Sequence, residues 1–169
     1  MGRIGKGIFD LLEVYLPTFI FFMLTMSVFV EVLFRYVFDH PIAELFELSI
    51  YSFVWAIYLG AALAKRYNQH IRFDLLYLKF PKKGRLLIDI FFDTLTNVVF
   101  LILLVPSSQY TLMNYNIKAS ALRVPWTYLL VCFPLFVALI LIHNTMAIVT
   151  NLRELLGKGV RQEEKFPWQ

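Results

Sequence analysis

Four apolar runs, at about residues 14–38, 41–64, 86–110 and 125–149, take up most of this chain and are separated by short polar connections. Each is about as long as the ~20 residues a helix needs to cross the hydrocarbon of a bilayer. With 59% hydrophobic and 17% charged residues, the 169-residue chain carries more apolar side chain than a globule of its size can hide from water. Lipid is therefore its solvent. The expectation is an all-α integral membrane protein with four transmembrane helices, forming a single membrane domain over residues 1–169. The first run is too long for the apolar core of a secretory signal peptide and ends in Arg35-Tyr36-Val37-Phe38-Asp39, so it reads as a retained span.

The formal charge of +4 does not point to nucleic acid, because the basic residues lie between the apolar runs rather than along one patch. They set membrane orientation instead. The amino end, the middle loop and the tail carry nearly all the Lys and Arg, the turn at Asp39-His40-Pro41 carries none, and the segment Thr111 to Val124 carries only Lys118 and Arg123. By the positive-inside rule both termini and the middle loop are cytoplasmic. Two further segments read as amphipathic. In residues 3–13, Arg3, Lys6, Asp10 and Glu13 recur at helical spacing opposite Ile4, Ile8, Leu11 and Leu12. In residues 70–80, basic and apolar residues are interleaved up to Pro81. The first suits a helix lying in the interface or leading straight into the first span, and the second a short helix lying flat against the bilayer or the neighbouring spans. The tail, residues 151–169, is polar.

Ionisable groups inside spans are functional candidates, since each must find a partner or change its protonation. Glu31 and Arg35 lie four apart on one face of the first span. Counting 1.5 Å per residue from the tight turn puts Arg35 and Glu47 at similar depths. Arg35 is thus expected to be neutralised by Glu31 along its own helix and by Glu47 across the hairpin, or by a group on a partner protein. Pro41 suits the first position of the second helix, where its missing N–H costs nothing. Arg85 and Asp89, one turn apart, read as a structural ion pair near the basic loop, and Asp93 with Asn97 as members of that network or as polar contacts between helices. His143 reads as a hydrogen-bonded packing residue, because one intramembrane histidine cannot ligate haem from two sides. Tyr51, Trp55 and Tyr58 form a packing stripe, and Gly60, Ala61 and Ala62 suit close approach of another helix. Cys132 is a small apolar residue, with no second cysteine for a disulfide. Nothing resembles a phosphate loop, a nucleophile with its base or a metal quartet. The chain is not expected to be an enzyme or to hold a cofactor.

The order of several features is informative together. Arg35-Tyr36 leaves the first span, Glu47 enters the second, and Gly60-Ala61-Ala62 precedes Lys65-Arg66. His70-Ile71 and Asp74 follow, Pro81 with basic residues precedes the third span, and Ser120-Ala121-Leu122-Arg123-Val124-Pro125-Trp126 precedes the fourth. In this the chain resembles the small membrane subunit of the tripartite ATP-independent periplasmic (TRAP) transporters. The resemblance implies a scaffold subunit in the bacterial inner membrane, paired as a heterodimer with a large membrane subunit that holds the sodium and substrate sites. It also implies a periplasmic substrate-binding protein, for whose docking Lys118 and Arg123 are candidates. Tyr36, Gly60, Ala61, Ala62, His70, Asp74, Pro125 and Trp126 are then motif and partner-interface candidates. Small organic acids are the implied substrates, a sialic acid before a C4-dicarboxylate. The chain itself supplies no inverted repeat and no broken-helix pair of the kind that builds transport sites.

Two other classes compete. An autonomous four-helix, proton-coupled exporter needs a carboxylate near the middle of its first helix, whereas Glu31 lies towards one end with Arg35 beside it. The membrane anchor of a respiratory enzyme is disfavoured by the single intramembrane histidine.

Overall fold

A computed structural model describes residues 7, 9–67 and 81–157, and among these it is helical, with no strand. Four helical segments are long and apolar enough to cross a membrane: Leu11–Val37, Ala43–Arg66, Lys83–Asn116 and Thr127–Leu155. The all-α, four-span architecture expected from the apolar runs is what the structure shows. Most of the amphipathic segment 3–13 that precedes Phe9, the interfacial segment 70–80 with His70 and Asp74, and the tail beyond Gly157 lie outside the described residues.

The chain divides into two compact units. The first comprises residues up to Leu63 together with Ser107–Phe136. It opens with a π-helical turn, Leu11–Tyr15, in which the N–H of Leu16 donates to the carbonyl of Leu11. Pro17, in the first turn of the helix that follows, brings no N–H of its own, so the wider turn relieves a place where the α-helical ladder would be interrupted. Helix α1, Leu16–Val37, then runs to a reversal at Asp39, whose φ of 50° puts it in the left-handed region. Short polar side chains tolerate that conformation better than most. The N–H of His40 donates to the carbonyl of Phe34 at 3.0 Å and closes the turn.

Helix α2, Ala43–Arg66, begins two residues after Pro41 rather than on it. Ile42 presents the first carbonyl, accepting from the N–H groups of Leu45 and Phe46, so Pro41 stands ahead of the helix as a rigid lead-in. Helix α3, Lys82–Met113, is longer at both ends than the third apolar run. Pro81 supplies the carbonyl that the N–H of Arg85 bonds at 3.1 Å. The far end continues through Pro106 into a 3₁₀ turn, Asn114–Asn116.

Residues 117–126 form a compact hairpin-like turn. Ala119 N–H bonds Val124 O at 2.9 Å, Trp126 N–H bonds Ile117 O at 2.9 Å, and Lys118 and Pro125 make an isolated antiparallel bridge. Arg123, at φ 55°, takes the left-handed position that reverses the chain. Pro125 and Trp126 lead into the short helix α4, Thr127–Leu130, and then α5, Cys132–Leu155. The break at Val131 precedes Pro134, which has no N–H to offer the carbonyl of Leu130.

The second unit comprises Ala64–Pro106 and the chain from Val137 onward. Its buried side chains include Leu86, Val137, Leu139 and Ile140, together with polar Asn144 and Asn151. Helix α5 ends at Gly157, which at φ 71° adopts the left-handed conformation and donates its N–H to Glu154 O. A glycine there closes a helix with no Cβ penalty.

Candidate functional site

Several of the described polar groups within the spans hold the chain together. In the first unit α2 grips the turn that leads into the fourth span. The Oε2 atom of Glu47 accepts the N–H groups of Ala121 at 3.0 Å and Leu122 at 2.8 Å. Two turns along the helix, the indole Nε1 of Trp55 donates to the carbonyl of Tyr128 at 2.9 Å. Tyr58 then packs against Phe133 and Phe136, with ring centroids 5.7 Å and 5.3 Å away. One face of α2 thus meets residues 121–136 by a carboxylate, an indole and an aromatic ring in turn. Thr127 Oγ1 fastens the same segment from the other side, donating to Thr111 O at 2.9 Å.

This arrangement corrects the cross-hairpin pairing expected of Glu47. Its carboxylate meets backbone amides rather than Arg35. Arg35 instead forms an ion pair with Glu31, its Nη2 lying 2.5 Å from Oε1, with the Glu31 side chain 8% exposed and that of Arg35 47% exposed. Depth counting matched Arg35 and Glu47 in level, but a matching level does not orient two side chains towards each other. The Ser120–Arg123 turn, which comes far later in the chain, supplies two N–H donors that no helix or strand satisfies. A carboxylate accepting both makes charge-assisted bonds stronger than neutral ones.

In the second unit, Lys65 Nζ at the end of α2 meets Asp93 Oδ1 on α3 at 2.5 Å, with 17% and 13% of the two side chains exposed. One turn further along α3, Asn97 Nδ2 donates to Thr145 Oγ1 on α5 at 3.3 Å. Asp93 and Asn97 therefore tie α3 to two different helices. Neither Lys65 nor Thr145 stood out in the sequence. Lys65 belongs to the basic pair that follows the second apolar run, and Thr145 is one hydroxyl in an apolar run. The i to i+4 spacing of Asp93 and Asn97 was the available sign, and it pointed only to a polar face.

Of the remaining candidates, Arg85 and Asp89 lie in the first turns of α3 and neither is without a partner. Tyr36 is exposed, Trp126 less so, and Lys118 and Arg123 stand on the surface of the 117–126 turn. Ala62 is fully buried, whereas a Cβ added at Gly60 would meet nothing within 4 Å. Among the described residues, Gly60 thus does not admit a close neighbouring helix within this chain. His143 is 8% exposed and has a partner. Cys132 is buried, its thiol donating to Leu129 O. Among the described residues no three His, Cys, Asp or Glu side chains gather as a metal set.

The apolar exterior is extensive. Phe91, Phe92, Leu95, Ile102, Val105 and Leu112 of α3, and Phe19, Phe21, Phe22 and Phe29 of α1, are all exposed. Of the four spans, that of α3 is the least covered by the rest of the chain and that of α5 the most.

Comparison with known proteins agrees with these features. The family model described as "Tripartite ATP-independent periplasmic transporters, DctQ component" matches residues 24–154. A protein of Haemophilus influenzae strain Rd, provisionally named a TRAP transporter small permease protein, is 35% identical over 71 residues, covering 42% of this chain and 44% of the relative. The match thus spans less than half the length of that relative.

Proposed function

The chain belongs to the DctQ component family of the tripartite ATP-independent periplasmic transporters and is a small permease subunit rather than an enzyme, and from that premise we propose that it is the static scaffold of a sodium-coupled importer of a small organic acid. Its partners are a large membrane subunit, which holds the sodium and substrate sites, and a periplasmic substrate-binding protein. A sialic acid is the first candidate substrate and a C4-dicarboxylate the second; both are read by the partner proteins. The complex sits in the bacterial inner membrane, with the termini of this chain cytoplasmic and the 38–42 and 114–126 turns periplasmic.

The observation that carries this reading is the internal use of the intramembrane charges. Glu31 is paired with Arg35, Lys65 with Asp93, and Glu47 with two backbone amides. A carboxylate that carries protons or cations in a transport cycle must be free to change partners, and these are held. For the same reason the autonomous exporter loses its carrier group, since Glu31 is engaged by Arg35 in the next turn. The exposed apolar faces of α1 and α3 offer a large partner more contact area than α5 does.

Gentle purification of the tagged chain from its native membrane, followed by mass spectrometry, tests the reading. A large polytopic partner in stoichiometric amount is the expected result. A stable homo-oligomer recovered alone overturns the scaffold assignment in favour of an exporter. A second test addresses docking. Lys118→Glu and Arg123→Glu change exposed charges on a turn held at both ends. Each is expected to slow association of the periplasmic protein on the order of tenfold at low salt, with the difference shrinking as salt rises. Equal association rates for both variants and the wild type would remove the turn from the docking surface.

A further inference from the structure

Among the described residues, Oδ1 and Nδ2 of Asn144 on α5 and Oδ1 of Asn97 on α3, all in the second unit, are buried amide atoms with no hydrogen-bond partner. Asn144 is fully buried. It lies on the α5 face that carries Val137 and Ile140 before it and Asn151 after it, all of them buried. Unpartnered amide groups are costly inside a protein, and more so within a membrane span, where no bulk water reaches them.

The orientation of Asn97 is fixed by its neighbour. Thr145 Oγ1 gives its proton to Leu141 O at 2.6 Å and so can only accept from Asn97, which places Nδ2 towards Thr145. Rotating the amide by half a turn would set two acceptors against each other. Asn97 Oδ1 is left as an acceptor, at the level where α3 meets α5. Asn144 precedes Thr145 in the chain, so its donor and acceptor belong to the same level of α5. A partner that serves these atoms must both donate and accept, and must be small enough to reach the fully buried Asn144 side chain. Water meets both conditions.

We propose that Asn144 anchors an internal hydration site, in which a buried water accepts from Asn144 Nδ2 and donates to Asn97 Oδ1. The water adds a polar link between α3 and α5 beside the direct Asn97–Thr145 bond. Four residues away on α3, Asp93 holds Lys65, so this half of the chain is joined by consecutive polar contacts rather than by apolar packing alone.

Water-edited solid-state NMR on the full chain in lipid bilayers, labelled with ¹⁵N-asparagine, tests the proposal. The side-chain amide signal lost in Asn144→Leu identifies Asn144. In the wild type that signal is expected to receive magnetisation from water at early mixing times, and in Asn97→Leu the early transfer is expected to be lost. If the wild-type amide builds up no faster than the buried methyls of Val137 in a methyl-labelled sample, the site is dry and the proposal falls. A direct hydrogen bond between the Asn97 and Asn144 side chains, seen as a coupling between them, overturns it equally. The wild-type chain carries the main readout, and signal assignment from uniformly labelled protein replaces Asn144→Leu if that variant does not fold.

Discussion

Asp93→Asn is expected to destabilise the protein by about 3 kcal/mol, the low end of what breaking a buried ion pair costs. The substitution leaves Lys65, 17% exposed, without its counter-charge at the end of a membrane helix. The low end applies because a lysine near a helix terminus can extend its ammonium group towards the interface. Lys65→Met should cost a similar amount by stranding the Asp93 carboxylate. The double variant Lys65→Met with Asp93→Leu should be far more stable than the sum of the two losses, because it strands neither charge. Thermal unfolding of the four proteins in the same mild detergent completes the cycle, and strictly additive losses would show that the pair contributes nothing as a pair. Asn97 lies one turn from Asp93 and bonds a different helix. Asn97→Leu should therefore shift stability by less, and independently of Lys65.

The four spans were legible because apolar run length is a direct requirement of the bilayer and needs no knowledge of tertiary contacts. Helix boundaries were less so, and prolines account for much of the difference. Pro41 has the φ of a first helical residue but serves as a lead-in, with Ile42 presenting the first carbonyl. Pro106 lies near the end of the third apolar run, yet the helix continues through it to Met113. A proline costs a helix one hydrogen bond and some bending, and the apolar residues around it can hold the helix together.

Pairing partners were the least legible feature. Glu31 and Arg35 meet through helix geometry alone, which sequence spacing encodes. Lys65 and Asp93 lie on different helices, so counting residues along the chain gives no register between them. The stripe Tyr51, Trp55 and Tyr58 marked a face of α2 without saying what it faces. The structure shows that Trp55 and Tyr58 meet residues 128–136. Helical periodicity identifies faces, whereas the partner of a face depends on tertiary assembly.

Glu47→Ala is expected to loosen the 117–126 turn selectively. The substitution leaves the N–H groups of Ala121 and Leu122 without the carboxylate that accepts both, while the Ala119–Val124 and Trp126–Ile117 bonds at the base of the turn remain. Hydrogen exchange at Ala121 and Leu122 should accelerate on the order of tenfold, with little change at Trp126. Glu47→Gln should fall between, since its amide oxygen still accepts but without the added strength of a charge. Arg35→Ala separates this clamp from the ion pair that residue depth alone suggests. It removes the partner of Glu31 and should leave exchange in the turn unchanged. Faster exchange at Ala121 in Arg35→Ala would mean that Arg35 supports Glu47 after all. If the turn presents Lys118 and Arg123 to a periplasmic partner, Glu47→Ala should also weaken that association with no change in surface charge on the turn. A clamp of purely internal importance would instead alter exchange and leave association intact, so measuring both in the same variant separates holding the fold from presenting a docking surface.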